Sequence, residues 1–227
     1  MTATITPQSL FDNACLYGQK SSRWNPKMKK YLCAKKDGIH IFDLNKSAEK
    51  LAELLNRVAE VIKSGKTILF VSTKPHTRDI LTQIKEETGM PIVSHKWIGG
   101  LLTNFSTVKT RILYMKKLKE EFATGNIQRY TKKEQSQFTK ELEKLETAFG
   151  GVSDMNRLPD AVFVIDGLRD KIALDEAKKI GIEVLGIADS NVDPDFYNYF
   201  VPANDDAMKS LEFILGHVVT TMLKNKK

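Results

Sequence analysis

Beyond residue 66 one unit repeats along the chain: a short apolar run, a turn, an amphipathic helical pattern, then a glycine. Thr67-Ile68-Leu69-Phe70-Val71 is β-branched and aromatic with no polar alternation, as a strand covered on both faces must be. A helical pattern over 76–88 stops at Gly89, and Pro91-Ile92-Val93 opens the next run. The order returns with Asp160 to Ile165, a helix over 170–180 stopped by Gly181, a strand over 182–187 and a short one at Tyr199-Phe200-Val201. A helix over 204–223 closes the chain, with Met208, Leu211, Ile214, Leu215 and Val218 as its buried stripe. Strands separated by helices predict βαβ units, hence an α/β fold whose parallel sheet carries helices on both faces. Upstream, Leu51, Leu54, Leu55, Val58, Val61 and Ile62 fall at helical spacing before Gly65. Ile39 to Leu44 alternates apolar and polar residues and predicts a hairpin with Tyr31-Leu32-Cys33, turning at Lys36-Asp37-Gly38.

The repeat is broken once. Residues 101–149 contain one glycine, Gly125, and no proline. Phe105, Val108, Ile112, Met115, Leu118 and Phe122 form one stripe, and Phe138, Leu142, Leu145 and Phe149 form another. Thr131 and Glu134 between them read as a capping box. The expected division is therefore a sheet domain from 1–100 and 150–227, interrupted by an antiparallel helical hairpin at 101–149. Each arm of about eighteen residues would be roughly 27 Å long.

Charge is concentrated elsewhere. The net charge is +7, and residues 19–36 carry Lys20, Arg23, Lys27, Lys29, Lys30, Lys35 and Lys36 with no acid. Outside this stretch bases and acids balance at 28 each. A concentrated basic tract points to a polyanionic partner, which scattered lysines would not. With 41% hydrophobic residues the chain is ordinarily globular, and no apolar run is long enough for a membrane span. The first residues show neither a basic start nor an apolar core, and two isolated cysteines, Cys15 and Cys33, suit a reducing compartment. The expected setting is the cytoplasm, or an organellar matrix.

Four motifs carry possible chemistry. In Arg23-Trp24-Asn25-Pro26-Lys27-Met28-Lys29-Lys30, proline restrains the chain, tryptophan offers a stacking face and the cations engage phosphates, against the plainer reading of a solvated turn with Trp24 in the core. Ser72-Thr73-Lys74-Pro75-His76-Thr77-Arg78 follows a strand, where Lys74 and Arg78 can meet a phosphate. Neither a Gly-x-Gly-x-x-Gly pattern nor a P-loop accompanies them, so no nucleotide cofactor is expected. In His95-Lys96-Trp97-Ile98-Gly99-Gly100 the glycines allow close backbone approach, and Thr103 or Asn104 can cap the hairpin helix that carries Lys109 and Arg111. His95 has no nucleophile or carboxylate beside it in sequence, so a structural or RNA-contact role is the better assignment than catalysis. The acids of Asp189-Ser190-Asn191-Val192-Asp193-Pro194-Asp195 and Asn204-Asp205-Asp206 suit turns and caps before they suit Mg²⁺, and the four histidines lack metal-ligand spacing.

Taken in order over about residues 8–223, these stretches resemble the small-subunit ribosomal protein 2 family of bacterial or organellar type. The segments that carry the resemblance are Arg23 to Met28, Asp37 to Leu44, Lys66 to Lys74, His95 to Trp97 with Gly99-Gly100, and Leu102 to Phe105. Leu158 to Ala161, Phe163 to Asp166, Asp189 to Asn191 with Asp193-Pro194, and Pro202 with Asn204 to Ala207 complete them. The resemblance implies a flavodoxin-like three-layer fold with an inserted helical hairpin, and a non-catalytic part in the small ribosomal subunit. It also implies binding to small-subunit rRNA between head and body, beside neighbouring small-subunit proteins, and in many bacteria docking of the largest of them. The residues assigned to RNA are Lys20, Arg23, Trp24, Asn25, Lys27, Lys29, Lys30, Lys74, Arg78, His95, Lys96, Trp97, Asn104, Lys109 and Arg111, with no metal and no catalytic residue. Leu16-Tyr17-Gly18-Gln19 stands where the family usually has His-Phe-Gly-His, so contacts or metal ligation by those imidazoles are not carried over. Pro75 likewise replaces a common second lysine. The competing reading is a flavodoxin-like enzyme that binds a nucleotide or sugar phosphate above the strand ends.

Overall fold

The computed structural model describes residues 5–226. A short helix α1 (Pro7–Asp12) leads into β1 (Tyr17–Lys20), a 3-10 turn at Pro26–Tyr31, β2 (Leu32–Lys36) and β3 (Ile39–Phe42). These strands form an antiparallel sheet ordered β1-β3-β2. The β2–β3 hairpin matches the alternating pattern, and β1 is an addition to it. Then come α2 (Leu44–Lys63), β4 (Ile68–Val71), α3 (Arg78–Thr88) and β5 (Ile92–Val93). The hairpin helices α4 (Phe105–Ala123) and α5 (Lys132–Phe149) precede β6 (Ala161–Val164), α6 (Lys171–Ile180), β7 (Glu183–Ala188), β8 (Tyr199–Pro202) and α7 (Met208–Asn225). Gly65, Gly89 and Gly181, each at a φ of 67–75°, end α2, α3 and α6 as the sequence predicts.

The second sheet is parallel throughout and ordered β5-β4-β6-β7-β8. Counted along its own strands that is 2-1-3-4-5, the flavodoxin-like order, with the reversal between β4 and β6. Successive residues of β4 and β6 are fully buried because each faces a different helical layer. Ile68, Phe70, Ala161 and Phe163 pack under α2, α3 and α7. The rings of Phe70 and Phe163 stack there at 5.2 Å. Leu69, Val71, Val162 and Val164 face the opposite layer, made of α6, the inner ends of α4 and α5, and the residues Met28, Tyr31 and Phe42. The first layer misses one predicted member: Met208 opens α7 with 37% of its surface exposed, because the buried stripe starts at Leu211.

The hairpin forms as its two stripes require. Its capping box is present, with Glu134 N–H donating to Thr131 Oγ1 and Thr131 N–H to Glu134 Oε2. Its inner end is continuous with the core, since Val108, Ile112, Met115 and Phe149 share one apolar cluster with Val71 and Val164. Among the described residues no helix is long and apolar enough to cross a membrane.

Candidate nucleic-acid interface

The basic tract is held in a fixed shape. Asn25 caps the Pro26–Tyr31 turn, its side-chain oxygen accepting from Lys27 N–H at 3.0 Å. Met28 and Tyr31 sink into the second core cluster. That anchoring turns Lys29 and Lys30 outward, and Lys20, Arg23, Lys35 and Lys36 are exposed as well. None of these six cations has an ion-pair partner among the described residues. Trp24 is half-buried with its ring 4.8 Å from that of His40, so the tryptophan is neither a free platform nor a core residue.

Lys27 has partners within the chain. Its ammonium lies 2.8 Å from Asp193 and 2.5 Å from Asp195, in the turn after β7. The hydrogen bonds to Asp193 and Asp195 raise the Lys27 ammonium above its ordinary value. The exposed Lys27 ammonium is thus paired with two carboxylates of the chain. Three more bonds fasten the tract beside it. Gln19 N–H donates to Ser190 Oγ at 2.7 Å, Asn25 N–H to the Ser190 carbonyl at 2.7 Å, and Gln19 Nε2 to Asp206 at 2.7 Å.

The crevice where the strand order reverses is filled by the protein itself. Lys74, expected to face a phosphate, is 5% exposed and pairs with Asp166 at 3.0 Å, Asp205 at 2.8 Å and Asp206 at 2.7 Å. Burial works against the charge, yet the Coulombic pull of Asp205 and the hydrogen bonds to Asp205 and Asp206 hold the ammonium above its ordinary value. Lys74 is thus paired with the chain's own carboxylates and is not presented to solvent. Thr73 spans the same crevice, its N–H and hydroxyl donating to Asp170 at 3.0 and 2.8 Å, while Arg169 Nε donates to Thr73 Oγ1 at 3.0 Å. A nucleotide or sugar phosphate would have to displace this network and enter a field of carboxylates, which disfavours the enzymatic alternative.

Asp189, Asp205 and Asp206 bring carboxylate oxygens within 4.8 Å of one another, the one grouping among the described residues with the make-up of a cation site. The donors around it do not fit a metal. Gln19, at the position of a family imidazole, gives its amide hydrogens to Asp189 and Asp206, and Lys74 already neutralises Asp205 and Asp206. Leu16 offers no ligand atom. Burial raises the carboxyls of Asp189 and Asp205 above their ordinary values, with a further contribution at Asp205 from Asp189.

The second candidate surface lies after β5. His95 and Lys96 are exposed, as are Asn104, Lys109 and Arg111 at the start of α4. Asn104 stands at the N-cap position, but its side-chain oxygen accepts from the Thr107 hydroxyl at 2.9 Å and from no backbone N–H. Trp97 is 6% exposed and its indole N–H donates to Glu176 at 3.0 Å, so its ring is turned into the protein. Arg78, at the head of α3, is half-buried, and its Nε has no hydrogen-bond partner among the described residues. Glu176 is the residue missed in the sequence, because its partners lie more than seventy positions away and nothing local marks it.

Comparison with known proteins adds an independent line. A family model described as ribosomal protein S2 matches residues 10–225. Three curated relatives carry the name small ribosomal subunit protein uS2. That of Geotalea uraniireducens is 41% identical over 222 residues, covering 98% of this chain and 87% of the relative. That of Coprothermobacter proteolyticus is 41% identical over 225 residues, covering 99% and 84%. That of Thermus thermophilus is 39% identical over 224 residues, covering 99% and 88%.

Proposed function

The chain belongs to the ribosomal protein S2 family, and from that premise we propose which of its surfaces holds rRNA. It is a non-enzymatic structural component of the small ribosomal subunit, set among rRNA and neighbouring proteins. The primary contact is the docked basic tract, through Lys20, Arg23, Lys29 and Lys30 with Trp24 and Asn25 beside them. The observation that carries this reading is the set of exposed, unpaired cations on a segment pinned by the bonds of Gln19, Asn25 and Lys27. Because the segment is already ordered, rRNA binding does not bear the cost of ordering it. His95, Lys96, Asn104, Lys109 and Arg111, with Arg78, form a secondary contact after β5.

Phosphate neutralisation has a measurable signature. Replacing Lys20, Arg23, Lys29 and Lys30 with Gln should lower affinity for small-subunit rRNA and flatten its salt dependence by roughly 0.7 to 0.9 per charge. Lys27→Gln should change the slope little and instead loosen the segment. Trp24→Ala should weaken binding by a similar factor at every salt concentration. Tagged wild-type protein should co-migrate with free small subunits and whole ribosomes on a sucrose gradient. A folded quadruple variant that kept both affinity and slope would remove the tract from the interface.

A further inference from the structure

We propose that Glu176 is the positioning residue for the secondary rRNA contact, an internal anion on which the loop 97–103 is wrapped. The proposal rests on the reading that the surface after β5 meets rRNA. Glu176 projects from α6 and is 8% exposed. Its Oε1 accepts from Trp97 Nε1 at 3.0 Å and Gly100 N–H at 2.8 Å. Its Oε2 accepts from Leu102 N–H at 3.0 Å and from the N–H and hydroxyl of Thr103, both at 3.1 Å. One carboxylate thus takes five hydrogen bonds from a stretch that contains neither strand nor helix. Burial opposes ionisation, and the donors from Trp97, Gly100, Thr103 and Leu102 outweigh it, holding the Glu176 carboxyl below its ordinary value.

Backbone N–H groups that converge in this way make a nest, a concavity that commonly takes a phosphate or another anion. Gly100, at φ +88°, supplies the left-handed turn that this curl requires. Here the nest is occupied by the chain's own carboxylate, so rRNA phosphate cannot enter and must be met by side chains outside it. Those side chains flank the wrapped stretch immediately: His95 and Lys96 precede it, and Asn104 follows it at the head of the helix that carries Lys109 and Arg111. Among the described residues Glu176 makes no hydrogen bond or ion pair with any of these side chains. It sets where the loop begins and ends, and so the spacing and direction of the cations on either side.

The test uses the full-length protein, with small-subunit rRNA as the probe and three variants read together. Glu176→Gln keeps the shape but replaces one acceptor oxygen by an NH2 facing N–H donors, so amide exchange should speed up sharply either at Gly100 or at Leu102 and Thr103, on the side the nitrogen takes. Affinity for rRNA should fall by roughly 10- to 100-fold, the scale of one charge-assisted hydrogen bond left unmade. The salt slope should not change, because no cation has been removed. Glu176→Asp, which keeps the charge, should recover part of the affinity. Should Glu176→Gln fail to fold, Trp97→Phe removes one of the five donors while keeping a ring, and should give the same pattern in smaller measure. Lys96→Gln/Lys109→Gln/Arg111→Gln, with Glu176 intact, tests the underlying reading by its salt slope. If that triple variant loses affinity and slope while Glu176→Gln, or Trp97→Phe in its place, binds normally with faster exchange, the positioning role is overturned and the interface stands. If the triple variant binds as wild type, the surface after β5 is no rRNA contact, and the proposal falls with it.

Discussion

Lys74 shows how far a side chain's task depends on residues remote in sequence. Next to a strand end and before a proline it reads as a phosphate ligand, whereas in the fold it is the counter-ion of Asp166, Asp205 and Asp206. Removing it leaves the buried carboxylates of Asp166 and Asp205 without their counter-ion. Lys74→Met should cost about 3–5 kcal/mol in denaturant unfolding, while a hydrophobic replacement of the whole cluster would cost far less. The pH dependence follows from the raised ammonium. A cation whose folded value lies above its unfolded one, near about 10.4, contributes fully below that pH. Its contribution is lost as pH climbs through the folded value, so wild type should show an alkaline loss of stability that Lys74→Met lacks. Trp97 and Glu176 were illegible for the same reason as Lys74: the partners that decide their roles are separated from them by most of a domain. The turn that buries Met28 and Tyr31 leaves Lys29 and Lys30 exposed, a sorting set by neighbours within six residues.

At the level of elements, the parallel strands and their helices could be read almost residue by residue, since each short apolar run is bounded by a glycine or a turn. β1 could not. Tyr17-Gly18-Gln19-Lys20 has no apolar alternation, and it is a strand because β3 offers it hydrogen bonds. The hairpin was legible as two stripes, and its inner stripe proves to be part of the core cluster. We therefore propose that the arm is separable only in its outer half. Replacing 118–140 with a short linker should leave cooperative unfolding of the sheet domain intact. Replacing 105–148 strips Val108, Ile112 and Met115 from the core and should destabilise it severely, given that Ile112→Ala alone should cost about 2–5 kcal/mol. Thr131→Ala should cost about 1 kcal/mol and be felt in the arm, where hydrogen exchange can locate it.

Over the whole molecule, the carboxyl ends of the parallel strands are spanned by the chain's own bonds, from Thr73 to Asp170 and from Lys74 to the acids after β6 and β8. ATP, GTP, NAD and FMN should accordingly leave the melting temperature unchanged. A saturable rise at micromolar ligand would overturn that expectation, since a ligand bound tightly to the native state must stabilise it. The docking of the basic tract also has a consequence in time. The partners that seat Gln19 and Lys27 lie 166–187 residues further along the chain. During synthesis at roughly 5–20 residues per second, the tract emerges roughly eight to thirty-seven seconds before these distal partners of Gln19 and Lys27 exist. The turn and the β2–β3 hairpin close from nearby residues, while docking onto the turns after β7 and β8 comes last, so only a chain made through Asp206 presents its cations in register.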